Sequence, residues 1–172
     1  MARPDTGLIG PPQKLGIGLV VLVIVLDQAS KAWFYKYLAA SARGAVEVLP
    51  FFNLVTVWNH GVSFGLFNGG STAGSWIFVL VACAIVIVLA HWMRRSVRIL
   101  PAAALGMVIG GAVGNVVDRL RLGAVFDFLD FHAFGWHWPA FNVADSAITV
   151  GVALLFIDSL FGGADQGKKE PS

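Results

Sequence analysis

The chain has 172 residues, of which 57% are hydrophobic and only 13% charged, and its mean hydropathy is +0.75. That is too apolar for an ordinary soluble domain and leaves no room for a second one, so the composition indicates a polytopic membrane protein forming one domain over 1–172. A formal net charge of +2 argues against nucleic acid as a partner, and the lone cysteine, Cys83, has no internal disulfide partner.

Residues 1–13, with Pro4, Pro11 and Pro12, read as a breaker-rich, disordered tail. An apolar run from Lys14 leads into Asp27-Gln-Ala-Ser-Lys31 and predicts a first span over about 14–37. Asp27 lies roughly 20 Å along that helix, past the midplane of a hydrocarbon layer about 30 Å thick. Ala40-Ser-Ala42 has the small residues of a secretory cleavage site, but it lies too far beyond the apolar core, so the helix is expected to be retained. Asp27 and Lys31, four apart, can pair on one helical face.

The outer segment 38–75 contains a β-branched and aromatic stretch, Val46 to Trp58, that predicts short strands at the membrane surface. Asn59, His60 and Gly61 follow, then Gly65, Gly69 and Gly70. Glycines at these positions would hinge the segment from Glu47 to Gly70 as a clamp over a site. His60 reads as a solvated loop histidine. A second span, 76–92, is uncharged and bounded by Trp76 and Trp92.

The third span, 99–117, carries Gly106, Gly110 and Gly114 at four-residue steps, a spacing that lets helices approach closely in lipid. Asn115, Asp118 and Arg119 share one face at its far end. An aromatic loop follows, 118–143 in all, with Phe126, Phe128, Phe131, Phe134, Trp136, Trp138 and Phe141 expected to form an interfacial belt. The fourth span is predicted over 144–161, and 162–172 is a polar, disordered tail. The expected fold is therefore an all-α polytopic membrane protein with four transmembrane helices and a small β-rich periplasmic element at the membrane surface.

Four spans place both termini on one side. Arg3, Lys14, Arg94, Arg95, Arg98, Lys168 and Lys169 fall there, which makes that side cytoplasmic. Asp27, Asn59, Asn115, Asp118, Arg119, Asn142 and Asp145 then all lie near one depth at the outer face, where unrelated surface features would not converge.

Two of the acids stand apart. Asp127 and Asp145, eighteen positions apart, are each embedded in apolar and aromatic residues. Two acids in one apolar site cannot both ionise cheaply and tend to hold one proton between them, the equipment of an aspartic hydrolase. The structural alternative makes Asp145 a first-turn helix acid and Asp127 a turn residue. Two other functions are weighed beside it. A metal-dependent membrane hydrolase would use Asp127, Asp130, His132 and His137, which lack a recognisable ligand spacing. A small proton-coupled transporter would use Asp27, Asp118 and Asp145 as relays, but needs polar residues through to the cytoplasm.

Five blocks, Asp27-Gln-Ala-Ser-Lys31, Asn59-His-Gly-Val-Ser-Phe64, Gly110-Gly-Ala-Val-Gly-Asn115-Val-Val-Asp118-Arg119, Gly123-Ala-Val-Phe-Asp127-Phe and Phe141-Asn-Val-Ala-Asp145-Ser, resemble in order those of the bacterial lipoprotein signal peptidases, the type II signal peptidases. The resemblance implies an aspartic endopeptidase of the bacterial inner membrane that removes signal peptides from prolipoproteins before a diacylglyceryl-modified cysteine. It makes Asp127 and Asp145 the catalytic pair. Asp27, Asn59, Asn115, Arg119 and Asn142 then line the site and hold substrate or dyad, and Lys31, Gly61 and Asp118 in the same blocks are grouped with them. No metal or other cofactor is implied. The expected partners are diacylglyceryl-prolipoproteins and membrane lipid, with the protein itself a monomer.

Overall fold

The structure is a computed structural model that describes residues 9–41, 43–61 and 72–161. Its elements run α1 (Pro11–Ala39), β1 (Ala45–Leu49), β2 (Phe52–Asn59), α2 (Thr72–Arg95), α3 (Ile99–Leu122), β3 (Val125–Ala133), β4 (Trp136–His137) and α4 (Val143–Phe161). All four helices are long and apolar enough to cross a membrane.

Several boundaries move outward from their sequence expectation. Pro11 and Pro12 open α1 rather than belonging to a tail, because the first helical positions need no N–H partner and proline already holds the right φ. The tails 1–8 and 162–172, and the hinge glycines Gly65, Gly69 and Gly70, lie outside the described residues. The third helix continues past Val117 to Leu122 and stops at Gly123, whose φ of 79° lets its N–H turn back onto the Arg119 carbonyl.

The largest correction concerns 118–143, expected to be a loop. It contains the end of α3 and the nine-residue strand β3, which pairs antiparallel with β2 on one side and β4 on the other, in the sheet order β1-β2-β3-β4. Val125, Phe126, Asp127 and Phe128 are all buried, so the strand lacks the alternation that would have marked it in the sequence. Nor do its aromatics form one belt. Phe126 and Phe128 pack with Leu38 and Leu54 in a core beneath the sheet, while Phe134, Trp136 and Trp138 are exposed.

Helix α3 is the hub, packing against each of the other three helices. Its glycines set the distances. Gly106 sits on the Gly16 carbonyl, Gly110 on Val20 and Val23, and Gly111 on the Ala144 carbonyl, so α1 and α4 both approach α3 backbone to backbone. At the outer end of this row a methyl group on Gly114 would stand 2.7 Å from Asp27 Oδ2. Glycine there makes room for a carboxylate. Gly18, by contrast, faces open space.

Gly106→Val should therefore lower the melting temperature in detergent sharply, a loss of about 2 kcal/mol or more from overpacking, whereas Gly18→Ala should be neutral or slightly stabilising. Equal melting curves for the two variants would contradict a backbone-to-backbone contact between α1 and α3.

Candidate active site

Asp127 and Asp145 arrive at the site by different routes. Asp127 is the third residue of β3, opposite Val57 of β2. Asp145 lies in the first turn of α4, as the structural alternative had it, and is also part of a reciprocal hydrogen-bonded cap. The Asp145 N–H donates to Asn142 Oδ1 at 3.0 Å and the Asn142 N–H donates back to Asp145 Oδ2 at 3.3 Å. This is the geometry of a capping box with Asn142 as N-cap. The segment before it is fixed to β3, where Phe128 and Leu129 donate their N–H groups to the Phe141 carbonyl and Phe141 donates to Leu129. The start of α4 is thereby held against the strand that carries Asp127.

Three asparagine side chains close around the two acids. Asn142 Nδ2 donates to Asp127 Oδ1 at 2.6 Å, Asn59 Nδ2 to Asp127 Oδ2 at 3.0 Å, and Asn115 Nδ2 to Asp145 Oδ1 at 2.8 Å. Each amide has its carbonyl end occupied by a donor: Asn142 by the Asp145 N–H, Asn59 by the Gly61 N–H at 2.9 Å, and Asn115 by Lys31 Nζ at 3.2 Å. A donor can face only the oxygen of an amide, so all three NH2 ends are directed at the carboxylates. Gly61, with φ at 91° and no room for a Cβ against Phe78, makes the turn that returns its N–H to Asn59.

Behind the asparagines lies a charged group. Lys31 Nζ is 2.8 Å from both Asp27 Oδ2 and Asp118 Oδ2, and all three side chains are buried. Asp27 also accepts the Ala144 N–H at 2.9 Å and Asp118 the Phe126 N–H at 3.3 Å, so the pair of acids anchors the backbone beside each member of the dyad. Gln28 spans the two, donating to Asp118 Oδ1 at 2.9 Å and to Asp27 Oδ2 at 3.1 Å. Sequence reasoning overlooked Gln28, although it lies inside the first of the five blocks. Asp118 shares its helix face with Arg119, but its ion-pair partner is Lys31.

Arg119 makes no ion pair among the described residues. Its guanidinium leans on the Phe78 ring, 5.4 Å from the centroid, and lies within electrostatic reach of Asp145, Asp127 and Asp118. His60 is exposed, as expected. Asp130, His132 and His137 form a separate cluster, in which Asp130 accepts from Asn53 at 3.1 Å and meets His137 Nδ1 at 2.9 Å. Burial would raise Asp130, but hydrogen bonds from His137 and Asn53 hold it below the usual carboxylate range. Three residues apart on one strand, Asp127 and Asp130 face opposite ways, which separates the ligands that the metal-dependent reading had grouped together.

Burial pushes the Asp127 carboxyl up to about 6; the Asn59 amide pulls against this, and the nearby Asp145 charge adds to it. Asp145 is only half-buried and sits in the first turn of α4, where the helix dipole favours negative charge.

Four apolar helices with two amide-clasped carboxylates at one end define a membrane protein equipped for acid–base chemistry beside the bilayer. Residues 19–161 match the family described as Signal peptidase (SPase) II. The chain is 48% identical over 145 residues to the lipoprotein signal peptidase of Methylorubrum extorquens, covering 83% of this chain and 85% of that one. It is 44% identical over 155 residues to that of Rhodopseudomonas palustris, covering 88% and 94%. A solved structure described as a bacterial membrane enzyme, determined in meso at 1.9 Å, superposes with a TM-score of 0.73 at 31% identity over 85% of this chain and 92% of that one. The chain belongs to the signal peptidase II family, and it is a peptidase.

Because the folded protein holds the Asp127 proton more tightly than the ordinary value of 3.8 allows, folding stability from this group falls as pH rises from about 3.8 through about 6. Asp127→Asn should therefore melt above the wild type at pH 8, with the gap closing as pH falls from 6 toward 4. A gap independent of pH would contradict a raised Asp127.

Proposed function

We propose that Asp127 and Asp145 are the catalytic pair with which this enzyme removes signal peptides from diacylglyceryl-modified prolipoproteins. The observation that carries the reading is the convergence of three oriented amides on two carboxylates from different elements. In the reacting form the more deeply buried Asp127 serves as the acid and Asp145 as the base. Asp145 takes a proton from a water lying between the two acids, and that water attacks the scissile carbonyl carbon while the Asp127 proton passes to the carbonyl oxygen. As the tetrahedral intermediate collapses, the proton on Asp145 goes to the departing amine and the C–N bond breaks. Asp127 recovers its proton from the hydroxyl as the new carboxyl group forms.

The supporting residues divide by position. Asn59, Asn115 and Asn142 hold the carboxylates, Gly61 shapes the turn that orients Asn59, and Asp27, Lys31 and Asp118 anchor the backbone around them. Arg119 is the cation available to substrate, through backbone carbonyls or an acidic lipid head group. The apolar helices hold the signal helix and acyl chains alongside, so that substrate arrives by lateral diffusion. The site faces the periplasm, with both termini cytoplasmic in the bacterial inner membrane, because the basic residues Lys14, Arg94, Arg95 and Arg98 lie at the opposite end. The enzyme works as a monomer and uses no metal.

Asp127→Asn and Asp145→Asn should each lower cleavage of a diacylated prolipoprotein by about a thousandfold or more, and the double variant should be no worse, since members of one acid–base unit are not additive. Near-normal turnover by either single variant, or inhibition of the wild type by chelators, would remove the proposal. Orientation is tested separately at two exposed positions, with Cys83 replaced by alanine: cysteine at Phe134 should react with an impermeant reagent added to the periplasmic side, and cysteine at Val97 should not. The reverse labelling would place the site in the cytoplasm.

A further inference from the structure

Of the three asparagines, Asn59 and Asn142 have their carbonyl ends held by backbone N–H groups, those of Gly61 and Asp145, which substitutions elsewhere leave in place. Asn115 is different. Its Oδ1 accepts from Lys31 Nζ at 3.2 Å, with Asn142 Nδ2 at 3.3 Å as a second, weaker partner whose main bond is to Asp127. An ammonium group carries donors and no acceptor, so while Lys31 stands there the carbonyl of Asn115 must face it and the NH2 must face Asp145. We propose that Lys31 is a positioning residue for Asp145, acting through Asn115 by fixing which end of that amide the carboxylate meets.

The inference deepens the dyad reading and rests on it. Without Lys31 the Asn115 oxygen keeps only the shared Asn142 NH2 as a donor, so the amide is less firmly held against an inversion that would present its oxygen to the Asp145 carboxylate. Acceptor would then face acceptor, and Asp145 would lose the one side-chain hydrogen bond on Oδ1. Asp27 and Asp118 keep the ammonium in place, each 2.8 Å away. Lys31 itself is buried, and its ammonium hydrogen-bonds to neither Asp127 nor Asp145. The other charged groups near the dyad are Arg119 from α3, Asp27 from α1 and Asp118 from α3, and none of these meets the Asn115 amide through its side chain.

Removing Lys31 alone would leave two buried carboxylates without their cation, so the test uses a charge-balanced variant, Lys31→Met with Asp118→Asn. With a diacylated prolipoprotein as substrate, kcat should fall about ten- to hundredfold below that of Asp118→Asn alone, the effect of one hydrogen bond to a charged group, while KM changes less than about twofold. Asn115→Ala should give a similar fall. Combined, the three substitutions should cost little more than Asn115→Ala with Asp118→Asn, because the hydrogen-bonded route from the lysine to Asp145 runs through that amide. Multiplying losses, or a kcat in the charge-balanced variant equal to that of Asp118→Asn alone, would overturn the proposal.

Should the charge-balanced variant fail to fold, Lys31→Met with Asp27→Asn takes its place, read against Asp27→Asn alone. A kcat equal to that reference would overturn the proposal, and a fall that Asn115→Ala does not deepen would support it. Failure of the dyad reading is distinct, because it would appear as cleavage by Asp127→Asn or Asp145→Asn whatever the Lys31 variants do.

Discussion

A carboxylate at the edge of a hydrocarbon layer survives only if hydrogen-bond donors replace the water it has lost, and this requirement organises the outer half of the molecule. Asn142 meets it for both acids at once, through its side-chain NH2 to Asp127 and its backbone N–H to Asp145. It is wholly buried, and it joins a β-strand to the start of a transmembrane helix. With Asn142 as the hinge of the site, the two acids are held by one residue yet differ in surroundings. Asp127 lies deep in the sheet, and Asp145 lies half-open in the first turn of a helix.

The rest of the architecture keeps that hinge in register. Helix α3 carries glycines on two faces, so α1 and α4 approach it closely and bring Asp27 and Lys31 beside Asp118 and Asn115. The buried charges are costly in such a setting, and three of them are used together, one lysine between two aspartates, each aspartate also accepting a backbone N–H next to a dyad residue. Packing in the membrane and placement in the site are thus the same set of contacts. At Gly114 they meet in a single residue, since any side chain there would displace the Asp27 carboxylate.

Much of this was legible in the sequence. The spans followed from composition and length, and the glycine spacing at Gly106, Gly110 and Gly114 foretold the close helix contacts. Strand β3 was not legible, because residues buried on both faces show no alternation and its aromatics resembled an interfacial belt. The capping box stands in the sequence as Asn142-Val-Ala-Asp145, a spacing that marks the start of α4 and ties Asp145 to the asparagine that also holds Asp127. The partner of Asp118 could not be read from spacing, since Lys31 is far away in the chain and reaches it only through helix packing.

Direct activation of water by the two carboxylates is the central claim, and the fate of an oxygen label in one turnover tests it most directly. With excess enzyme cutting a diacylated prolipoprotein in 18O water, the account predicts one 18O in the new carboxyl group of the released signal peptide and none in the enzyme peptides that contain Asp127 or Asp145. An 18O atom in either aspartate would reveal a covalent acyl intermediate and contradict the account.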